Sequence, residues 1–202
     1  MKADRLLICD MGFAGNNQFD AAESIYFAAS SDSTEGILQT ASSIISRKKI
    51  ANVFLIVHGV SVVSIESYEG RSREGGYSLP DKVGGFGLHL GADIITVTND
   101  FLFRKWANLG VKNIVFLSCS AANSDPKKVG GWGDGKLMLQ NIANAVGATV
   151  YSSDATQYLD GDWEGEMFRF RPHSTSRGSR VLRPYPAILN RTFASYTESI
   201  AE

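Results

Sequence analysis

Cysteine and histidine are scarce in this chain, and the scarcity narrows its chemistry. Of 202 residues two are cysteine, Cys9 and Cys119, and three are histidine, His58, His89 and His173. Two cysteines cannot build a disulfide framework, no C-x-x-C is present, and so few thiols and imidazoles give no structural zinc site. No apolar run approaches the roughly 20 residues that cross a bilayer. Leu6-Leu7-Ile8-Cys9 is also too short for the core of a signal peptide, so a protein without membrane contact is expected, cytoplasmic or exported by a route the sequence does not show. Charge of one sign is lacking too. Twenty Lys and Arg stand against 21 Asp and Glu, a net −1, and nothing draws the whole molecule to nucleic acid.

Several motifs fail on context. No Gly-x-Ser-x-Gly exists to serve as the elbow of a serine hydrolase. Gly130-Gly131-Trp132-Gly133-Asp134-Gly135-Lys136 starts like a phosphate-binding loop, but Leu137 stands where Ser or Thr must hold magnesium. Gly85-Phe86-Gly87-Leu88-His89-Leu90 lacks the third glycine of a dinucleotide fingerprint. No cofactor is expected.

What is present is an alternation of apolar runs and amphipathic stretches. Residues 5–9, 24–29, 52–57, 113–118 and 148–151 read as strands. Between them, Ile37, Leu38, Ala41, Ile44 and Ile45 recur at helical spacing behind Asp32 and Glu35, which have the spacing of a capping box. Leu102, Trp106 and Leu109 mark a second helix, opened by Thr98-Asn99-Asp100 and stopped at Gly110. A third runs from about Lys136 through Met138, Ile142 and Val146 to Gly147. Residues 60–97 lack a clear period: 60–65 read as a strand extension, 69–76 as a loop, 88–97 as a hairpin or strand. The alternation predicts an α/β fold with a mostly parallel sheet and helices on both faces. After 153 the rhythm breaks. Phe168-Arg169-Phe170-Arg171 alternates like a strand, and three of the five prolines follow it, so an irregular, β-containing C-terminal extension is expected. The whole reads as one domain, 1–202, with a core of about 1–166 and an Arg-rich extension at 167–202.

Two strands end in reactive side chains. Asn113-Ile114-Val115-Phe116-Leu117 runs through Ser118 into Cys119, and Asn52-Val53-Phe54-Leu55-Ile56-Val57 runs into His58-Gly59. In α/β sheets, sites lie beyond the carboxyl ends of the strands, so this pattern delivers a nucleophile and a proton carrier to one edge. Either residue alone is better read as structure: a thiol near a strand end is usually a small hydrophobe, as Cys9 is expected to be. The pair differs because small residues follow both, letting a substrate backbone approach and an amide face a developing oxyanion.

The pairing of an apolar run with His-Gly and a second with Cys resembles the caspase-like (clan CD) cysteine peptidases. A closer likeness covers roughly 34–166, to the caspase-like domain of unknown function found near the N-terminus of large repeat-rich bacterial surface proteins. It rests on Val53 to Gly59, Phe116-Leu117-Ser118-Cys119-Ser120-Ala121-Ala122, Gly135-Lys136, Val146 to Asp154 and Gly161-Asp162-Trp163-Glu164. Ser118 stands where that family more often has glycine. The self-cleaving cysteine protease domains of large bacterial toxins are a more distant likeness.

The resemblance implies Cys119 and His58 as a catalytic dyad, with the amides of Gly59 and Cys119 as oxyanion donors and a protein or peptide as substrate. It implies a cysteine endopeptidase, self-processing at Arg71 or Arg73 in the 69–76 loop if basic residues are preferred. Ser153 and Asp154 follow the catalytic strand and would wall the pocket, Asp154 as an acidic floor. Arg169, Arg171, Arg177, Arg180 and Arg183 lie in a stretch with no acid between Glu166 and Glu198. By analogy with the toxin domains, which inositol hexakisphosphate switches on, they would hold a polyanionic activator; the competing expectation pairs them with the acids of the first 166 residues. A second function remains open: a non-catalytic caspase-like module that binds a protein or polyanionic partner. Oligomeric state is not legible.

Overall fold

The computed structural model describes residues 5–10, 24–61, 86–124, 134–155 and 166–181. The five expected strands and the one at 168–171 join a further short strand in one seven-stranded sheet. Strands β1 (Arg5–Asp10), β2 (Ile25–Ala28) and β3 (Asn52–Ile56) form one side of it. A small antiparallel sheet then interrupts the series: β4 (His58–Ser61), β5 (Phe86–Leu90) and β6 (Asp93–Ile95). The large sheet resumes with β7 (Asn113–Leu117), β8 (Thr149–Ser153), β9 (Met167–Phe170) and β10 (Ser179–Arg180). Its order is β10-β9-β8-β7-β3-β1-β2, with β2 through β8 parallel and the last two strands antiparallel. The pattern at 168–171 is thus a strand of the main sheet, not a feature beside it.

Both faces of the central strands are buried, which is why their sequences are nearly unbroken apolar runs. Leu6 and Ile8, Val53 and Leu55, Ile114 and Phe116, and Val150 point to one face and join the helices in a single core. Leu7, Cys9, Phe54, Ile56, Val115, Leu117 and Tyr151 alternate with them and are buried as well.

Helix α1 (Thr34–Lys48) buries Ile37, Leu38, Ala41 and Ile45, the expected stripe. Its cap is one residue later than the capping-box spacing suggests: Ser33 accepts from the Gly36 amide, while Asp32 accepts from Ala29. The predicted helix at 102–109 is instead a 3₁₀ helix, Asp100–Trp106, and Asn99 accepts from the Thr96 amide rather than capping it. Trp106 and Phe103 are fully buried there, and the Trp106 indole donates to the Leu38 carbonyl at 3.1 Å. Helix α2 (Gly135–Val146) starts at the Asp134 cap and ends at Gly147 in the left-handed conformation, φ 77°.

Helices on both faces are not seen among the described residues. Among the described residues all three helices pack on one face, in one core. Handedness gives the reason. The connections β2→β3, β3→β7 and β7→β8 all advance across the sheet in the same direction, and right-handed crossovers in one direction lay their helices on one face. Only β1→β2 runs the other way, and residues 11–23 of that connection lie outside the described ones. No helix among the described residues is long and apolar enough to cross a membrane.

Candidate active site

The register of the parallel strands fixes which residues share the carboxyl edge of the sheet. Ile56 pairs with Leu117 at the end of the β3–β7 ladder. Continuing that register by two residues brings His58 level with Cys119. A close backbone contact shows that the two segments do stay together beyond the ladder. A β-carbon built on Gly59 would lie 1.5 Å from the Cys119 carbonyl oxygen and 2.5 Å from its carbonyl carbon. Only hydrogen fits between them, which makes glycine obligatory after His58.

At this edge the two candidate side chains leave the packed interior. His58 is exposed and Cys119 half-buried, whereas Leu117 and Ser118 just before it are buried. The chain turns sharply after Cys119, because Ser120 adopts a left-handed conformation with φ 51°. A non-glycine residue held there marks strain that its surroundings sustain. The end of β8 supplies the restraint. The Ser120 amide donates to the Ala155 carbonyl and the Ala122 amide to the Ser153 carbonyl, both at 2.8 Å. The thiol is thereby presented on a tight turn, braced from the neighbouring strand.

Ser153 and Asp154 do reach this edge. Ser153 is fully buried and its hydroxyl accepts from the Ala155 amide at 3.0 Å. Asp154 accepts from the Glu166 amide at 2.8 Å, closing the entry to β9. Of the five arginines, Arg177 bonds the buried Asp134 at 2.8 Å and Arg180 pairs with Glu166. Arg169 is half-buried in β9 opposite Tyr151, and Arg171 is exposed. Arg183, the 69–76 loop with Arg71 and Arg73, and the Gly161–Glu164 stretch lie outside the described residues.

The sequence reading missed an ionisable group beside the pair. His89, in β5, stands directly opposite His58 in the β4–β5 ladder. Asp10, the last residue of β1 and only 1% exposed, accepts from the Gly91 amide at 2.7 Å, tying the end of β5 to the edge of the main sheet. Burial pushes the pKa of His89 down; the Asp10 carboxylate opposes this, His58 adds to it, and Asp93 opposes it more weakly. Asp10 repeats the signal that marked His58 and Cys119, an ionisable residue directly after an apolar run. His89 carried no such mark.

The other cysteine contrasts with Cys119. Cys9 is buried in β1, and burial pushes its thiol up to about 11. Both cysteines are thiols. Among the described residues, no group of three or more His, Cys, Asp or Glu is arranged to hold a metal ion.

No known protein family, curated protein or solved structure matches this chain. What it does must be argued from the site.

Proposed function

We propose that the chain is a caspase-like cysteine endopeptidase that works through Cys119 and His58. One observation carries the reading: the backbone of Gly59 lies against that of Cys119, so a half-buried thiol and an exposed imidazole come from adjoining strand ends of one sheet. A thiol and an imidazole at such an edge are the parts an acyl transfer needs.

The chemistry follows from the atoms. His58 accepts the Sγ proton, and the thiolate adds to the carbonyl carbon of a peptide, whose π electrons move to oxygen. The amides of Gly59 and Cys119 are the donors assigned to that oxyanion. As the intermediate collapses, the C–N bond breaks and the His58 imidazolium returns its proton to the leaving amine. A thioester remains on Cys119. Water, deprotonated by His58, then adds to the thioester carbonyl and releases the carboxylate, returning the thiol.

The test uses the intact chain with a peptide library and brief iodoacetamide treatment mapped by mass spectrometry. The expected result is labelling of Cys119 with Cys9 protected, cleavage of library peptides, and loss of both cleavage in Cys119→Ala and rapid labelling in His58→Ala. Labelling of Cys9 alone, or a Cys119 labelling rate indifferent to His58→Ala, refutes the dyad. Dyad-dependent labelling without any peptide cleavage refutes the peptidase and leaves a binding module.

A further inference from the structure

His58 has a neighbour that the dyad does not use. His58 and His89 are paired directly across β4 and β5, and side chains so placed project from the same face of a strand pair with β-carbons roughly 5 Å apart. The next residues of the ladder, Gly59 and Leu88, face the other way, and Leu88 and Leu90 belong to the main core. His89 therefore shares the face of the strand pair that His58 occupies and is turned away from that core. It is nonetheless buried, at 6% exposure, while its partner is open to solvent. β5 is also anchored at its end. Gly91 donates to Asp10 at 2.7 Å, and the Thr34 hydroxyl donates to the Leu90 carbonyl at 2.8 Å. At the following turn, the Ala92 amide donates to the Asp32 carbonyl at 2.8 Å. A buried ring on an anchored strand is a fixed wall for the exposed one.

We propose that His89 is a positioning residue for His58, holding the orientation of its ring from the facing position across the two strands. This rests on the dyad reading above. His58 must face Cys119 both when neutral, to take the thiol proton, and when cationic, to return it. An adjacent neutral imidazole limits the orientations of the His58 ring without competing for positive charge. A second cation in its place would repel the imidazolium and weaken the proton carrier.

The ionisable groups around His89 fit this division. Asp10 faces it from β1, His58 from β4 and Asp93 from β6. Asp93 is occupied by the Thr34 amide at 2.8 Å, and Lys136, the one ionisable residue of α2, lies over the Phe168 ring. Burial and His58 keep the proton off His89 near neutral pH, while Asp10 and Asp93 draw it on as the medium acidifies.

The test records NMR cross-peaks from the His58 ring protons to the His89 ring and to the Cys119 β-protons at pH 7, in the wild type, in His89→Gln and in His89→Phe. Iodoacetamide rates at Cys119 are measured alongside. In the wild type both cross-peaks should be present. In either variant the one to Cys119 should weaken or vanish. Both variants should label Cys119 about ten- to a hundredfold more slowly at pH 7, as expected for a misoriented proton acceptor. Absence of a cross-peak between the His58 and His89 rings in the wild type overturns the proposal, and that result requires no variant to fold. So does a Cys119 labelling rate unchanged by both substitutions. If His58→Ala itself leaves labelling unchanged, it is the dyad that fails; if only the His89 variants do, the dyad stands and His89 is mere packing.

Discussion

Gly59→Ala is the substitution that most directly probes the junction of the two strand ends. Its β-carbon would sit 1.5 Å from the Cys119 carbonyl oxygen, where ordinary contact begins near 3.4 Å, so one backbone must retreat by about 1.9 Å. The obstacle is main chain, not the tip of a flexible side chain, and it cannot swing away. β3 and β7 are locked in register up to Ile56 and Leu117, and the turn after Cys119 is held by β8. The strain therefore has few outlets. Overpacking typically costs 1–3 kcal/mol, and a backbone obstacle belongs at the upper end, about 3 kcal/mol. For a domain of this size that lowers Tm by roughly 6–12 °C. A displacement of that order between His58 and Cys119 should slow Cys119 alkylation about a hundredfold. The assay is thermal unfolding of the purified variant together with iodoacetamide kinetics at pH 7. Gly110→Ala is the control: its φ is 88°, so alanine is strained, yet nothing lies within 4 Å of the added carbon. It should lose about 1 kcal/mol and leave Cys119 kinetics untouched. A Gly59→Ala protein with wild-type Tm and wild-type alkylation refutes the close junction on which the dyad depends.

Two further outcomes are expected. Ser120→Val forces a β-branched residue into a left-handed turn and should lose at least about 1 kcal/mol in urea unfolding, whereas Ser120→Gly should not. Asp100 is buried and its pKa is raised to about 6, chiefly by burial, with the Asn141 amide only partly offsetting this. A carboxyl that holds its proton more tightly when folded stabilises the fold below about pH 4 relative to neutral pH, and that contribution is lost as pH rises through 6. Asp100→Asn should therefore gain about 2–3 kcal/mol at pH 7 and almost nothing at pH 4; equal urea midpoints at pH 7 would show that the ionised carboxylate carries no such penalty.

The sheet was legible because its strands are buried on both faces, leaving runs such as Val53–Val57 and Ile114–Leu117 with no polar interruption. The stripe of α1 and the Gly147 cap of α2 were legible for equally local reasons. What failed depended on tertiary context. The 3₁₀ helix at Asp100–Trp106 carries an apolar pattern that suits a short α-helix, and it is Trp106 docking on the Leu38 carbonyl that accompanies the tighter winding. The face occupied by the helices depends on strand order, which no single run records. At the site, His58 and Cys119 announced themselves as single ionisable residues after apolar runs. His89 did not, since it lies in the middle of β5, between Leu88 and Leu90, and gains its meaning only from pairing with β4. That pairing joins segments separated by residues 62–85, across which the sequence offers no period to follow.

The two cysteines show what the sheet edge contributes. Cys9 is level with Ile56 in the β1–β3 register, and Ile56 is level with Leu117 in the β3–β7 register. Cys119 follows Leu117 by two residues, so both thiols belong to the same face, offset by two steps along the strands. At about 3.3 Å per residue that offset is roughly 7 Å. Within that distance the surroundings change from a packed rank of Leu and Ile side chains to a turn where the strands part. Cys9, inside, is raised to about 11 and held as a thiol at neutral pH. A thiolate there would be a charge without solvent, and desolvation disfavours it. Cys119, beyond the last ladder rung, is half-buried and reaches solvent. Leu6-Leu7-Ile8-Cys9 and Phe116-Leu117-Ser118-Cys119 are both apolar runs that end in a thiol. The separation comes from Ser118, the first polar residue after the run, which marks the end of β7 before the thiol is reached, whereas β1 continues past Cys9 to Asp10. Whether a cysteine of such a sheet meets solvent is thus set by where the strand stops relative to it, and a chain that lengthened β7 by two residues would turn Cys119 into a second Cys9.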